Sequence, residues 1–261
     1  MFVNFRIAPS KNKKVVKATM QYEYLTDIGK TRSINEDAVL LCVQPFATLM
    51  LVADGMGGHA AGDIASQMVI SAFDESFTPD VQFETAEACQ TWLTEQIVTV
   101  NTAILKEANA LGTGVMGTTL VAAVICETFT VFANIGDSRA YLMAYTEMRQ
   151  ITKDHTFVRG LVESGQLSER AAKMHPQKNI VSKALGTEAQ AAVDLFVLEA
   201  MDFESILLCT DGLTGEVEDD VIADVLADST LTTLAKVTKL IHLANEAGGS
   251  DNITAILGEN K

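Results

Sequence analysis

The chain has 261 residues, 48% of them apolar, enough at this length for a sizeable buried core and too many for a disordered chain. Lys and Arg number 19 against 34 Asp and Glu, so the formal charge is −15, a field that repels nucleic-acid backbones. With 17 glycines, 4 prolines and no Pro- or Ser-rich tract, nothing reads as low complexity.

In chain order, Arg6, Lys11, Lys13, Lys14 and Lys17 all precede the first acid, Glu23. No apolar core or small-residue cleavage site follows them, so residues 1–18 are expected to be a basic N-terminal arm rather than a targeting segment. Residues 20–25, 38–43 and 48–53 predict three strands. Segments 60–77 and 85–111 carry apolar residues at helical spacing (Ile64, Met68, Ala72; Trp92, Ile97, Val100, Ile104). Strands return at 118–126, 129–135 and 139–144, joined by turns too short for crossover helices, which predicts antiparallel neighbours. A helix-favouring stretch at 155–175 runs into a mixed segment ending near residue 186. Strands at 193–198 and 205–210, helices at 219–227 and 230–247, and a strand at 252–257 complete the chain. The longest apolar runs, such as 119–126, fall far short of the roughly 20 residues of a membrane span. Cys42, Cys89, Cys126 and Cys209 form no CxxC pair, and none has an arginine six positions on. Reduced thiols and a soluble, cytoplasmic protein are expected. The sum is a single α+β domain over residues 1–261, its antiparallel sheets covered by two pairs of helices.

Two readings compete for the glycine-rich turn after the strand at 48–53. Gly55-Met56-Gly57-Gly58-His59-Ala60 fits G-x-G-x-x-A, and Asp74 lies near the spacing a dinucleotide fold would want. Asp54, however, would turn its carboxylate on the pyrophosphate, and Asp74 falls in a helical pattern. The better reading takes Asp54 as the point of the turn, because an acid ending a buried strand suits a hard divalent cation. The pattern recurs at Asp211-Gly212, Gly136-Asp137 and Asp251-Asn252. Any one of these acids alone is most simply a turn former. Carboxylates crowded at one end of a sheet repel each other, and cations are the usual remedy. Arg32, beside Asn35-Glu36-Asp37, adds a planar fork suited to phosphate oxygens. Together these residues outline a phosphate-ester hydrolase.

Further motifs fall in one order along residues 22–257: Arg32-x-x-Asn35-Glu36-Asp37, Ala53-Asp54-Gly55-Met56-Gly57-Gly58-His59, Gly117-Thr118-Thr119, Gly136-Asp137-Ser138-Arg139, Asp154-His155, His175-Pro176-Gln177-Lys178-Asn179, Ala184-Leu185-Gly186, Thr210-Asp211-Gly212-Leu213 and Asp251-Asn252-Ile253-Thr254. In these the chain resembles the bacterial branch of the metal-dependent Ser/Thr protein phosphatases of the PP2C (PPM) type. The resemblance implies a four-layer α-β-β-α sandwich, two central antiparallel sheets flanked by helix pairs, with a flap subdomain at about 155–186. It implies two Mn²⁺ or Mg²⁺ ions and a third beside them. Asp54 would bridge the two ions, Asp211 and Asp251 completing the first and the Gly55 carbonyl joining the second. Asp37 with Glu36 would hold the second ion's waters, Asp137 with Asp211 would form the third site, and Arg32 would grip the substrate phosphate. The implied reaction is direct displacement by a water shared between the cations, without a phosphoenzyme.

One departure from the animal members is Met56 where they carry a histidine. That leaves His59 or a water at the metals as candidate proton donor. His175, Lys178 and Lys183 are candidate flap contacts to a phosphoprotein, or solvated loop residues. The acids Glu216, Glu218, Asp219 and Asp220 are expected to serve a helix N-terminus. The implied partners are phosphoprotein substrates, including a Ser/Thr kinase whose action the chain reverses. No nucleic acid or membrane is expected, and the chain is expected to be a monomer. The alternatives are a phosphoprotein-binding module without catalysis and a phosphatase of small phosphoesters.

Overall fold

Short, continuous apolar runs such as 120–126 and 129–135 suit strands buried on both faces, and helices must then cover the outer faces. The computed structural model, which describes residues 3–5, 20–57, 61–145, 147–199 and 203–260, has this architecture. Apart from residues 3–5 the expected basic arm lies outside the described residues, and so does His59.

The chain opens with β1 (Val3–Phe5), β2 (Met20–Asp27), β3 (Asp37–Val43) and β4 (Ala47–Gly57). Helix α1 (Ala61–Ser76) follows, then α2 (Ala86–Leu111), whose first turn is capped by the Thr85 hydroxyl accepting from the Ala88 amide. Next come β5 (Met116–Thr118), β6 (Leu120–Cys126), β7 (Phe129–Ile135), β8 (Arg139–Ala144) and β9 (Glu147–Gln150). The helix-favouring stretch at 155–175 resolves into α3 (Phe157–Glu163) and α4 (Glu169–Lys173), interrupted at Gly165, whose φ is +74°. Strands β10 (Asp194–Glu199) and β11 (Ser205–Cys209), helices α5 (Asp211–Thr214), α6 (Asp219–Ala227) and α7 (Thr233–Ala247), and β12 (Ile253–Asn260) complete the order.

One sheet of seven strands runs β1-β10-β7-β6-β4-β3, with β5 attached to the far end of β4; the other, of five strands, runs β2-β12-β11-β8-β9. Successive residues of β4 show how the layers arise. Leu49, Leu51 and Ala53 pack with Val69, Phe73, Leu93 and Ile97 of α1 and α2. Met50 and Val52 face the other way and meet Phe132, Ile206, Leu208 and Ile256 between the sheets. Beyond the second sheet, Leu207, Cys209 and Leu257 pack with Ile222, Val237 and Leu240 of α6 and α7. Three apolar layers between four structural ones make the expected α-β-β-α sandwich. All four cysteines are free. Among the described residues no helix is long and apolar enough to cross a membrane.

Two pairings depart from the sequence reading. β7 and β8, though only three residues apart, do not pair; the Gly136–Ser138 link carries the chain from one sheet to the other. A three-residue link without a crossover helix permits a change of sheet as well as a hairpin, and Gly136 at φ +108° makes the turn. β1 lies parallel to β10 at the sheet edge, while the remaining neighbours are antiparallel.

Candidate active site

The site lies at one end of the sandwich, where strands of both sheets finish. Asp37 opens β3 and stands opposite Asp54 in the β3–β4 register. Asp54 has the parity of Met50 and Val52, so its side chain is on the face turned toward the second sheet. From the second sheet's side come Asp211, which opens α5 two residues after β11, and Asp251, just before β12. Asp137 sits in the link that switches sheets. The structure brings Asp54, Asp137, Asp211, Asp251, Glu36, Gly55 and Arg32 to the wall of one cavity of about 200 Å³. Asp37 lies behind that wall, 5% exposed.

Burial sets the protonation of most of these acids, and neighbouring charges add to it. Burial pushes the Asp54 carboxyl well above the usual range, and Asp37, Asp211, Asp137 and Asp251 push it further. Asp37 is raised to about 7 by burial, against the pull of hydroxyls from Thr254 and Thr210. Asp137 is raised by burial and then by Asp211; Asp211 is raised by burial and then by Asp251. Glu36 is raised by burial, with Arg32 acting against it.

Among the described residues no three His, Cys, Asp or Glu side chains are drawn together closely enough to enclose a metal ion. At the rim, Arg32 Nη2 donates to Asp251 Oδ2 at 2.6 Å. The donor set nonetheless fits hard divalent cations. It is all oxygen and strongly anionic, and Asp37 keeps one buried oxygen, Oδ1, without a hydrogen-bond partner.

Several supports were not assigned roles from sequence. Asp37 Oδ2 accepts from Thr210 Oγ1 at 2.9 Å and Thr254 Oγ1 at 2.7 Å, so the second sheet holds an acid of the first. The Asp54 amide donates to Thr119 Oγ1 at 3.0 Å, and its carbonyl accepts from the Thr118 hydroxyl and the Thr119 amide. Asn252 accepts from the Glu36 amide at 2.8 Å and donates to the carbonyls of Ile28 and Ile34, both at 3.0 Å. It therefore holds the loop that carries Arg32. Gly55 must be glycine, because a Cβ there would overlap the Gly62 carbonyl at the start of α1. A buried amide or threonine at a strand end carries no signal of its own until its partner, distant in sequence, is known.

The dinucleotide reading fails on backbone grounds. Gly55, Met56 and Gly57 extend β4 and pair with Thr118, Gly117 and Met116 of β5, so no phosphate-cradling turn forms over these residues. In the 155–186 segment, Thr156 and Val181 pair as a bridge, and the Val181 side reaches the cavity. His175 packs beside Phe157, with ring centroids 6.2 Å apart, and its Nδ1 accepts from the Gln177 amide. Asp219 and Asp220 occupy the first turn of α6, while Glu216 accepts from Ser250 and Glu218 from Lys173.

The family profile described as Protein phosphatase 2C matches residues 29–257. The chain belongs to the protein phosphatase 2C family. Among curated relatives of this phosphatase is the Serine/threonine phosphatase stp of Listeria welshimeri, 40% identical over 92% of this chain and 96% of that one. Solved neighbours include the serine/threonine phosphatase Stp1 of Staphylococcus aureus, 33% identical with a TM-score of 0.87 over 97% of this chain and 100% of that one. Another is the catalytic domain of the phosphatase PstP in complex with 2 manganese ions, 34% identical with a TM-score of 0.78 over 92% and 97%. The phosphatase family is metal-dependent, in keeping with the acidic cavity here.

Proposed function

We propose that the chain hydrolyses phosphoserine and phosphothreonine esters on proteins, using Mn²⁺ or Mg²⁺ held by the carboxylates of the 200 Å³ cavity. The observation that carries this reading is the meeting of Asp54, Asp137, Asp211 and Asp251 at one cavity with Arg32 at its rim. Family membership supports a protein substrate over a small phosphoester. The presence of every cavity acid supports catalysis over a module that only binds.

Asp54 would hold two core ions, with Asp211 and Asp251 at the first and the Gly55 carbonyl at the second. Asp37 and Glu36 would hold the second ion's waters, and Asp137 with Asp211 a third ion. When bound, the cations supply an acidified water and positive charge for the phosphoryl oxygens. The chain's own part is to position. Thr118 and Thr119 fix the Asp54 backbone, and Thr210 and Thr254 fix Asp37. Arg32, 47% exposed, presents a planar donor fork to the phosphate of an incoming protein. Partners in this reading are phosphoproteins, among them a Ser/Thr kinase that the enzyme opposes, and the enzyme works as a cytoplasmic monomer.

The test is Asp211→Asn. Phosphate release from a phosphothreonine peptide should fall by about a hundredfold or more with the circular dichroism spectrum unchanged, the scale lost when charge stabilisation is removed. Full activity in that variant would contradict the metal assignment.

A further inference from the structure

His155 is 7% exposed, touches none of the cavity, and has no part in the reaction outlined above. Its contacts are specific. Its Nδ1 accepts from the Gly136 amide at 3.1 Å, and its own amide donates to the Gly136 carbonyl at 2.9 Å. Both polar groups of Gly136 are thus held by one residue. Its Nε2 lies 3.2 Å from Asp194 Oδ2 at the start of β10. Its carbonyl accepts from the Ser182 amide at 2.8 Å, across the base of the 155–186 segment. An amide can donate only to an unprotonated nitrogen, so Nδ1 is the acceptor and Nε2 carries the proton donated to Asp194. Burial, reinforced by Lys183, lowers the pKa of this ring and favours that neutral form.

Gly136 is the residue this clamp must control. Its φ of +108° allows many neighbouring conformations, and the next residue is Asp137, whose carboxylate lines the cavity. Asn134 also reaches the Gly136 carbonyl, but at 3.3 Å, and among the described residues His155 alone receives the Gly136 amide. We propose that His155 is a positioning residue for Asp137: it locks the Gly136 peptide from both sides and ties the Asp137 turn to the base of the 155–186 segment. This rests on the reading above that Asp137 serves the site.

The two nitrogens of the ring can be tested separately. Asparagine places an acceptor where Nδ1 stands and loses the reach to Asp194, whereas glutamine keeps a donor near Nε2 and loses the acceptor for Gly136. In His155→Asn, kcat on a phosphothreonine peptide with Mn²⁺ should stay near that of the native chain. In His155→Gln it should fall by about tenfold or more, as expected for a displaced site group, with KM for the peptide little changed. Titration of Mn²⁺ by electron paramagnetic resonance should show weakened binding in the glutamine variant and in Asp137→Asn, but not in the asparagine variant. A role in folding alone would lower Tm in both histidine variants without separating their kcat values, and that result would overturn the proposal. Full kcat and native Mn²⁺ binding in Asp137→Asn would instead overturn the assignment of Asp137 to the site. In the isotope-labelled native chain, the nitrogen resonance of His155 Nδ1 should report an unprotonated nitrogen with scalar coupling to the Gly136 amide. A protonated Nδ1 would overturn the clamp without recourse to any variant.

Discussion

At the scale of single residues, the candidate site depends on side chains that hold its backbone and its acids in place. Asn252 directs both side-chain donors and its carbonyl oxygen to the backbone of the loop 28–36, which carries Arg32 and Glu36. Asn252→Ala leaves one amide and two carbonyls without this partner, which costs about 2–4 kcal/mol of stability at the usual scale for unsatisfied backbone groups. Arg32 then loses its fixed position, so KM for the phosphopeptide should rise. Denaturant unfolding and steady-state kinetics check the two effects, and an unchanged KM would separate Asn252 from Arg32. Thr210 and Thr254 make a similar case. Thr210→Val and Thr254→Val each remove a donor from Asp37 and leave that buried carboxylate with fewer partners still, so each should weaken Mn²⁺ affinity measured by calorimetry. The gathering of Asp54 and Asp211 at one end of the sandwich was legible from sequence, because an aspartate just after a buried apolar strand contradicts its surroundings and asks for a reason. The threonines and Asn252 were not, since nothing local says which distant strand will meet them.

Among the elements, the decisive contact is between the end of β4 and the start of α1. Gly55 and Gly62 approach so closely that neither accepts a Cβ, and Glu36 completes the contact from the loop before β3. Gly55→Ala must push α1 away from the sheet end, where backbone rather than a flexible side chain stands in the way. Loss of activity and a fall in Tm of several degrees are expected, on the scale of an overpacked core. A variant with native Tm and full activity would contradict this packing. The elements were largely legible, strands and helices alike falling near their expected positions because period 2 and helical spacing are strong signals in long segments. The change of sheet at Gly136–Ser138 was not, because a short link between two apolar runs reads equally as a hairpin. That link also carries Asp137, so the misread pairing and the site share one turn.

Across the whole molecule, the sandwich brings two sheets together at an end lined with like charges, and pH should reveal the cost. Without cations Asp54, Asp137, Asp211 and Glu36 have folded pKa values above their unfolded ones, and so does Asp37 behind them, near 7 against 3.8. A raised folded pKa contributes stability below the unfolded value, and that stability is lost as pH rises through the folded one. The cation-free chain should therefore lose Tm between about pH 4 and about pH 7 on account of these groups, while bound Mn²⁺ favours their charged forms. The gain in Tm on adding Mn²⁺ to the EDTA-treated chain should accordingly grow as pH rises across that window. A gain independent of pH would contradict the carboxylate cluster as the binding site. On the proposed reading the fold's most direct consequence is catalytic: the acids of both sheets must meet for phosphate to be released. The measurement that tests this is phosphate release from a phosphothreonine peptide by the native chain with Mn²⁺, by the same chain with EDTA, and by Asp251→Asn. Release with Mn²⁺ that both EDTA and the substitution abolish is the predicted result. Release that survives EDTA, or that Asp251→Asn retains in full, would contradict the account.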